Sequence, residues 1–112
     1  MVISMNQDQA KMVSEFQTYQ QQLQSIMIQK ESLKMQDLEI DKAIEELTNS
    51  KEEKAYKITG NIMVSKPVED IKKELNETKE TIDLRVKSLE KTEERINNKL
   101  KDLQEQLKEV LK

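Results

Sequence analysis

The chain has 112 residues, of which 37% are charged and 3% aromatic, with a formal net charge of −3 and no Cys, His or Trp. That length admits at most one small domain, and so few aromatics leave a globular core of this size short of volume. Without thiol or imidazole, disulfides, cysteine nucleophiles, histidine bases and the usual zinc sites are excluded.

High charge with low hydrophobicity also suits a disordered chain. Here, however, the apolar residues keep helical register over long stretches, which disorder gives no reason for. Every run of Lys or Arg is interleaved with acids, so phosphate neutralisation and a nucleic-acid partner are not expected. Met1-Val-Ile-Ser-Met5 lacks the basic flank and apolar run of a signal peptide, and no window approaches a membrane span. A cytoplasmic protein with no membrane partner and no cofactor is expected.

The first element is a helix over residues 1–48. With Phe16 at position a of a heptad, the a series is Phe16, Leu23, Lys30, Asp37 and Ile44. The d series is Tyr19, Ile26, Leu33, Ile40 and Leu47. Lys30 and Asp37 would sit poorly at the seam of a self-pairing coil, so the pattern predicts a seam against one partner helix, with long side chains reaching outward. Ser4 with Gln7 offers a capping box upstream. Nine Gln residues in the first 36 positions read as a solvated helix face, because the apolar residues among them keep helical spacing.

Residues 49–66 form the connector. Thr48-Asn-Ser50 ends the helix, and Lys51-Glu-Glu-Lys54 bridges to two short strand-like runs. Tyr56 and Ile58 alternate with Lys57; Ile62 and Val64 alternate with Met63. Between them Thr59-Gly60-Asn61 supplies a turn in which Gly and Asn can take positive φ. The pattern predicts a β-hairpin containing the chain's single glycine. A lone two-stranded hairpin is marginal in water and leaves both edges unpaired. Tyr56, Ile58, Gly60, Ile62 and Val64 are therefore the candidate oligomerisation element; an irregular interhelical turn would not need them.

The second helix covers residues 67–112, with Pro67 expected in its first turn and Glu69 and Asp70 complementing the helix dipole. One apolar residue recurs every seven: Val68, Leu75, Ile82, Leu89, Ile96, Leu103 and Val110. Its companions are Ile71 and Thr78 at +3, then Val86, Leu100 and Leu107 at +4, which predicts a stutter near residues 82–86. Glu69–Lys73 and Asp83–Lys87 read as solvated i,i+4 pairs. Residues 8–47 would span about 60 Å and residues 67–111 about 66 Å if helical throughout. Two such arms predict an antiparallel two-helix coiled-coil hairpin, an all-α-dominated fold joined by one β-hairpin, with both termini at one distal end.

This order of features resembles the β-type subunits of the prefoldin family. The resemblance covers nearly the whole chain: a Gln-rich first helix, Tyr56-Lys57 ahead of a Gly60-Asn61-Ile62 turn, and a Lys/Glu helix containing Leu84-Arg-Val-Lys-Ser-Leu-Glu90. One hairpin points to the β class, since α-class members carry two, and the likeness favours an archaeal member. The resemblance implies an ATP-independent co-chaperone subunit in a heterohexamer of two α and four β subunits. In that family the hairpins join into a β-barrel platform from which coiled coils extend. The resemblance further implies that the distal tips hold unfolded polypeptides, which pass to a group II chaperonin.

Residues 1–112 are thus expected to form a single prefoldin-like domain. The terminal segments carry Val2, Ile3, Met5, Met12 and Val13 on one arm and Val110 and Leu111 on the other, candidates for client contact. Met is flexible and polarizable, which suits a surface that accepts many sequences. Glu105 and Glu109, acidic and near the same end, are candidate chaperonin contacts. Catalysis is not expected, since pairs such as Glu93-Glu94 have nothing to desolvate them. The competing reading is a structural coiled-coil adaptor or tether that binds one defined partner helix and has no need of the hairpin.

Overall fold

The structure, a computed structural model, describes residues 7–110. The elements follow in the order α1 (Gln7–Asn49), β1 (Lys54–Thr59), β2 (Ile62–Pro67) and α2 (Val68–Val110). The expected cap at Ser4 lies outside the described residues. The chain divides into two compact units, one made of residues 7–30 with 87–110 and the other of residues 31–86.

In the first unit the N-terminal half of α1 runs antiparallel to the C-terminal half of α2. On α1, Gln9, Met12, Phe16, Tyr19, Leu23, Ile26 and Lys30 are buried or half-buried, which reproduces the a and d series. On α2, Leu89, Glu93, Ile96, Leu100, Leu103 and Leu107 face them at alternating spacings of four and three. Ile96 is the most enclosed side chain, 3% exposed. Each such Ile or Leu contributes about 1.5–3 kcal/mol through removal from water. Lys30 does not simply reach outward. Its side chain is 16% exposed, and its Nζ lies 3.3 Å from Glu93 Oε1 across the seam. Lys99 Nζ sits 5.8 Å from the centre of the Tyr19 ring, a cation–π contact on the same seam.

The second unit holds the hairpin and the halves of the two helices joined to it. Leu33 is buried on α1, and Val68, Ile71 and Ile82 are buried on α2. Asp37, the second charged a residue, accepts hydrogen bonds from Lys79 Nζ at 3.0 and 3.2 Å. Lys79 also donates to Asp41 Oδ1 at 2.7 Å. These contacts move the expected stutter. Thr78 is exposed while Lys79 is half-buried, so the +4 spacing already holds at Leu75 and the handover falls between residues 71 and 79. The charged residues Lys79 and Glu93 fill the seam positions that an apolar count passes over.

The hairpin is antiparallel, pairing Thr59 with Ile62 at the turn and Lys54 with Pro67 at its base. Gly60 and Asn61 form a two-residue turn, and only Gly60 takes positive φ, at +61°. A glycine of positive φ in the first central position is the pattern of a type II′ turn, whose twist matches that of the flanking strands. Pro67 ends β2 and does not begin the helix as expected. The strand passes straight into α2, and the Val68 N–H, which would have no partner within the helix, donates to the Glu53 carbonyl at 2.8 Å. Pro67 is tolerated there because the end of an edge strand can do without its N–H. In the first turn of α2, Glu69 lies 3.9 Å from Lys72, not against Lys73.

Candidate functional site

Strand register decides what each face of the hairpin carries. Paired residues share a face, so Tyr56 with Ser65 and Ile58 with Met63 lie on one side, alongside Lys54 and Pro67. Ala55, Lys57, Thr59, Ile62, Val64 and Lys66 lie on the other. The four apolar strand residues singled out from the sequence are therefore split, Tyr56 and Ile58 on one face and Ile62 and Val64 on the other. Met63, which the alternation left aside, completes the first face. Tyr56, Ile58 and Met63 are 70%, 71% and 64% exposed, a contiguous apolar surface left uncovered by the other described residues.

The opposite face is tied to α2. Lys57 Nζ donates to Glu74 Oε2 at 2.8 Å, and Lys66 Nζ donates to Glu74 Oε1 at 2.7 Å. One lysine comes from each strand, and both oxygens of one carboxylate are used. The hydrogen bond from Lys57 and then that from Lys66 draw the Glu74 carboxyl down to about 2, against an opposing effect of desolvation. On this face exposure falls towards the helix: Ile62 is open, Val64 is 39% exposed and Ala55 is half-buried. Glu74 was not found from the sequence, where it is one acid among many on a charged helix. Its signal is tertiary.

The helix ends lie in the first unit. Met12, at a d position, and Val13 are half-buried, whereas Val110 is exposed. Val2, Ile3, Met5 and Leu111 lie outside the described residues. Glu105 and Glu109 line a shallow, acid-rich groove on α2 together with Asp102, Gln106 and Lys108. In the second unit, Met35 and Leu38 project from the outer side of α1 beside Asp41, Lys42 and Glu45, another apolar surface the heptad reading passed over. Among the described residues, no cluster of carboxylates is arranged to hold a metal ion. No helix among them is long and apolar enough to cross a membrane.

Two heptad-patterned helices joined by one β-hairpin define a helical coiled-coil protein that carries a single small sheet. The family described as prefoldin subunit matches residues 10–112, and the chain belongs to that family. It is 36% identical over 101 residues to the prefoldin subunit beta of Archaeoglobus fulgidus, covering 89% of this chain and 87% of that one. To the prefoldin subunit beta of Thermococcus kodakarensis it is 32% identical over 102 residues, covering 90% and 87%. In three dimensions it is similar to the crystal structure of the prefoldin beta subunit from Thermococcus strain KS-1. That match has a TM-score of 0.88 at 29% identity, over 99% of this chain and 98% of that chain. The family's subunits are non-enzymatic chaperone components that assemble with other prefoldin subunits.

Proposed function

We propose that this chain is the β-type subunit of a cytoplasmic, ATP-independent co-chaperone, a heterohexamer of two α-type and four β-type subunits. Residues 1–112 act as one prefoldin-like domain with a division of labour along the chain. The hairpin residues Tyr56, Ile58, Gly60, Ile62 and Val64, with Met63, join the subunits. Val2, Ile3, Met5, Met12, Val13, Val110 and Leu111, in the two terminal segments of the sequence, hold unfolded polypeptides. Glu105 and Glu109 contact a group II chaperonin that receives them.

The observation that carries this reading is the uncovered Tyr56–Ile58–Met63 surface at the end of two helices whose own seam is filled. An apolar patch on so small a sheet is stabilised by burial against other strands. Weak contacts at several helix ends around one client add up through effective concentration. A simple tether would need neither the hairpin nor its exposed residues.

The test is native mass by light scattering for this chain alone and after mixing with an α-type prefoldin subunit, followed by aggregation suppression without nucleotide. A discrete heterohexamer in the mixture, able to hold an unfolding client, is expected. Replacing Ile58 and Ile62 with Lys should leave the helices formed but dissociate the complex. An unchanged native mass for that double variant would remove the hairpin from the assembly, and a monomer or two-chain coil in every sample would favour the tether.

A further inference from the structure

We propose that Glu74 is a positioning residue for assembly: it braces the hairpin against α2 through Lys57 and Lys66, so that the Tyr56–Ile58–Met63 face is presented to neighbouring subunits. This rests on the reading of the hairpin as the assembly surface and adds how a free subunit keeps that surface aimed.

The geometry singles out this carboxylate. Lys57 and Lys66 lie on the same face of the sheet but on different strands, as the pairs Lys57–Val64 and Ala55–Lys66 require. Their ammonium groups converge on the two oxygens of Glu74 at 2.8 and 2.7 Å. The covalent junction at Pro67–Val68 and the Glu53–Val68 hydrogen bond anchor only the base of the hairpin. An attachment at the base resists rotation of the sheet about the strand-to-helix junction less than one placed further along the strands does. Glu74 is seven residues into the helix, and contact with Lys57, near the middle of β1, supplies a second point of attachment away from the base. Two points hold an orientation more firmly than one does. The choice of face follows too. With the lysine face held towards α2, Tyr56, Ile58 and Met63 point away from it, which agrees with their exposure.

An isolated, partly exposed ion pair contributes little because water screens it and two long side chains must be ordered. Here one acceptor serves two donors from the two strands, and the constraint bears on association more than on folding. A hairpin already oriented loses less freedom when it docks, the general advantage of preorganisation. The brace should therefore show itself in the concentration at which the complex forms, with little change in the helices.

The experiment compares the full-length chain, Glu74→Gln, Glu74→Lys and the reversed variant Glu74→Lys/Lys57→Glu/Lys66→Glu, each mixed with an α-type prefoldin subunit across a range of concentrations. Helicity is followed by circular dichroism and native mass by light scattering, with Ile58→Lys as the control for the hairpin itself. Glu74→Gln should keep wild-type helicity and raise the midpoint of assembly on the order of tenfold, the combined effect of two modest pairs. Glu74→Lys should be worse, and the reversed variant should recover most of the loss. Wild-type assembly by Glu74→Gln while Ile58→Lys fails to assemble would overturn the brace and leave the hairpin reading intact. Normal assembly by Ile58→Lys would overturn the hairpin reading itself. Failure of the reversed variant to recover, with helicity intact, would also overturn the brace, because the same ion pairs with opposite polarity would then be present without effect.

Discussion

Lys30 looks like a misplaced charge at a helix seam until Glu93 is found opposite it, 63 residues away in sequence. The pair is partly enclosed, so its members contribute less by attraction than each would lose by being left alone. Lys30→Leu should destabilise the chain by about 1 kcal/mol, because Glu93 then faces an apolar neighbour. Lys30→Leu combined with Glu93→Leu should be neutral or stabilising, since a packed apolar pair replaces the ions. Thermal unfolding of the single and double variants checks this; a double variant less stable than the single would show that the ion pair itself drives the packing. A second effect at this scale is pH. The Glu74 carboxyl is held at about 2, below its ordinary 4.5, so its contribution to the docked hairpin is complete above 4.5 and fades as pH falls towards 2. Glu74→Gln should therefore flatten the acid limb of hairpin amide exchange between pH 4.5 and 2. An unchanged limb would place that pH dependence on other carboxylates. Lys79 is displaced upward from 10.5 by hydrogen bonds to Asp41 and then Asp37, so its contribution is complete below 10.5 and fades above its raised value.

The helices owe their stability to one stripe each, and the hairpin owes its form to one turn. Because the stripe at α2 runs through Leu75, Lys79, Ile82, Val86 and Leu89, position 78 lies off it. Ile96→Ala should cost about 2–5 kcal/mol through the space left in the seam, whereas Thr78→Ala should shift stability by less than about 0.5 kcal/mol. Circular-dichroism melts of the two variants separate the readings, and comparable losses at both sites would restore Thr78 to the seam. The heptads were legible because their period is a local property of the chain, independent of any partner. The turn was legible in the same way, since Gly60 is the residue that accepts a φ of +61° without strain. The exact strand ends were not. The junction at Pro67 depends on Glu53 reaching the Val68 N–H, a contact that no single-residue preference announces.

For the molecule as a function-bearing object, assembly and client holding should separate. Deleting residues 1–12 together with 109–112 should abolish aggregation suppression while the complex with an α-type subunit keeps its subunit stoichiometry. Full suppression by the truncated complex would remove the helix ends from client binding. The deletion leaves the hairpin, Glu74 and most of both seams in place, so loss of assembly is not expected from it. Salt offers a further contrast within the same experiment, because the Glu74 pairs are exposed and screened more readily than the apolar seams.

Periodicities of seven and of two, with a single glycine between them, were enough to place two helices and a hairpin between them. These are properties of near neighbours in sequence, and side chains repeat along a helix or a strand whatever lies opposite. Folding alone settled the rest. It put Lys79 and Glu93 into the seam because Asp37 and Lys30 wait across it, 42 and 63 residues away. It split Tyr56 and Ile58 from Ile62 and Val64, because pairing across a two-residue turn joins Ile58 to Met63. It also chose Glu74 from a helix full of acids, since lysines from both strands converge on that carboxylate.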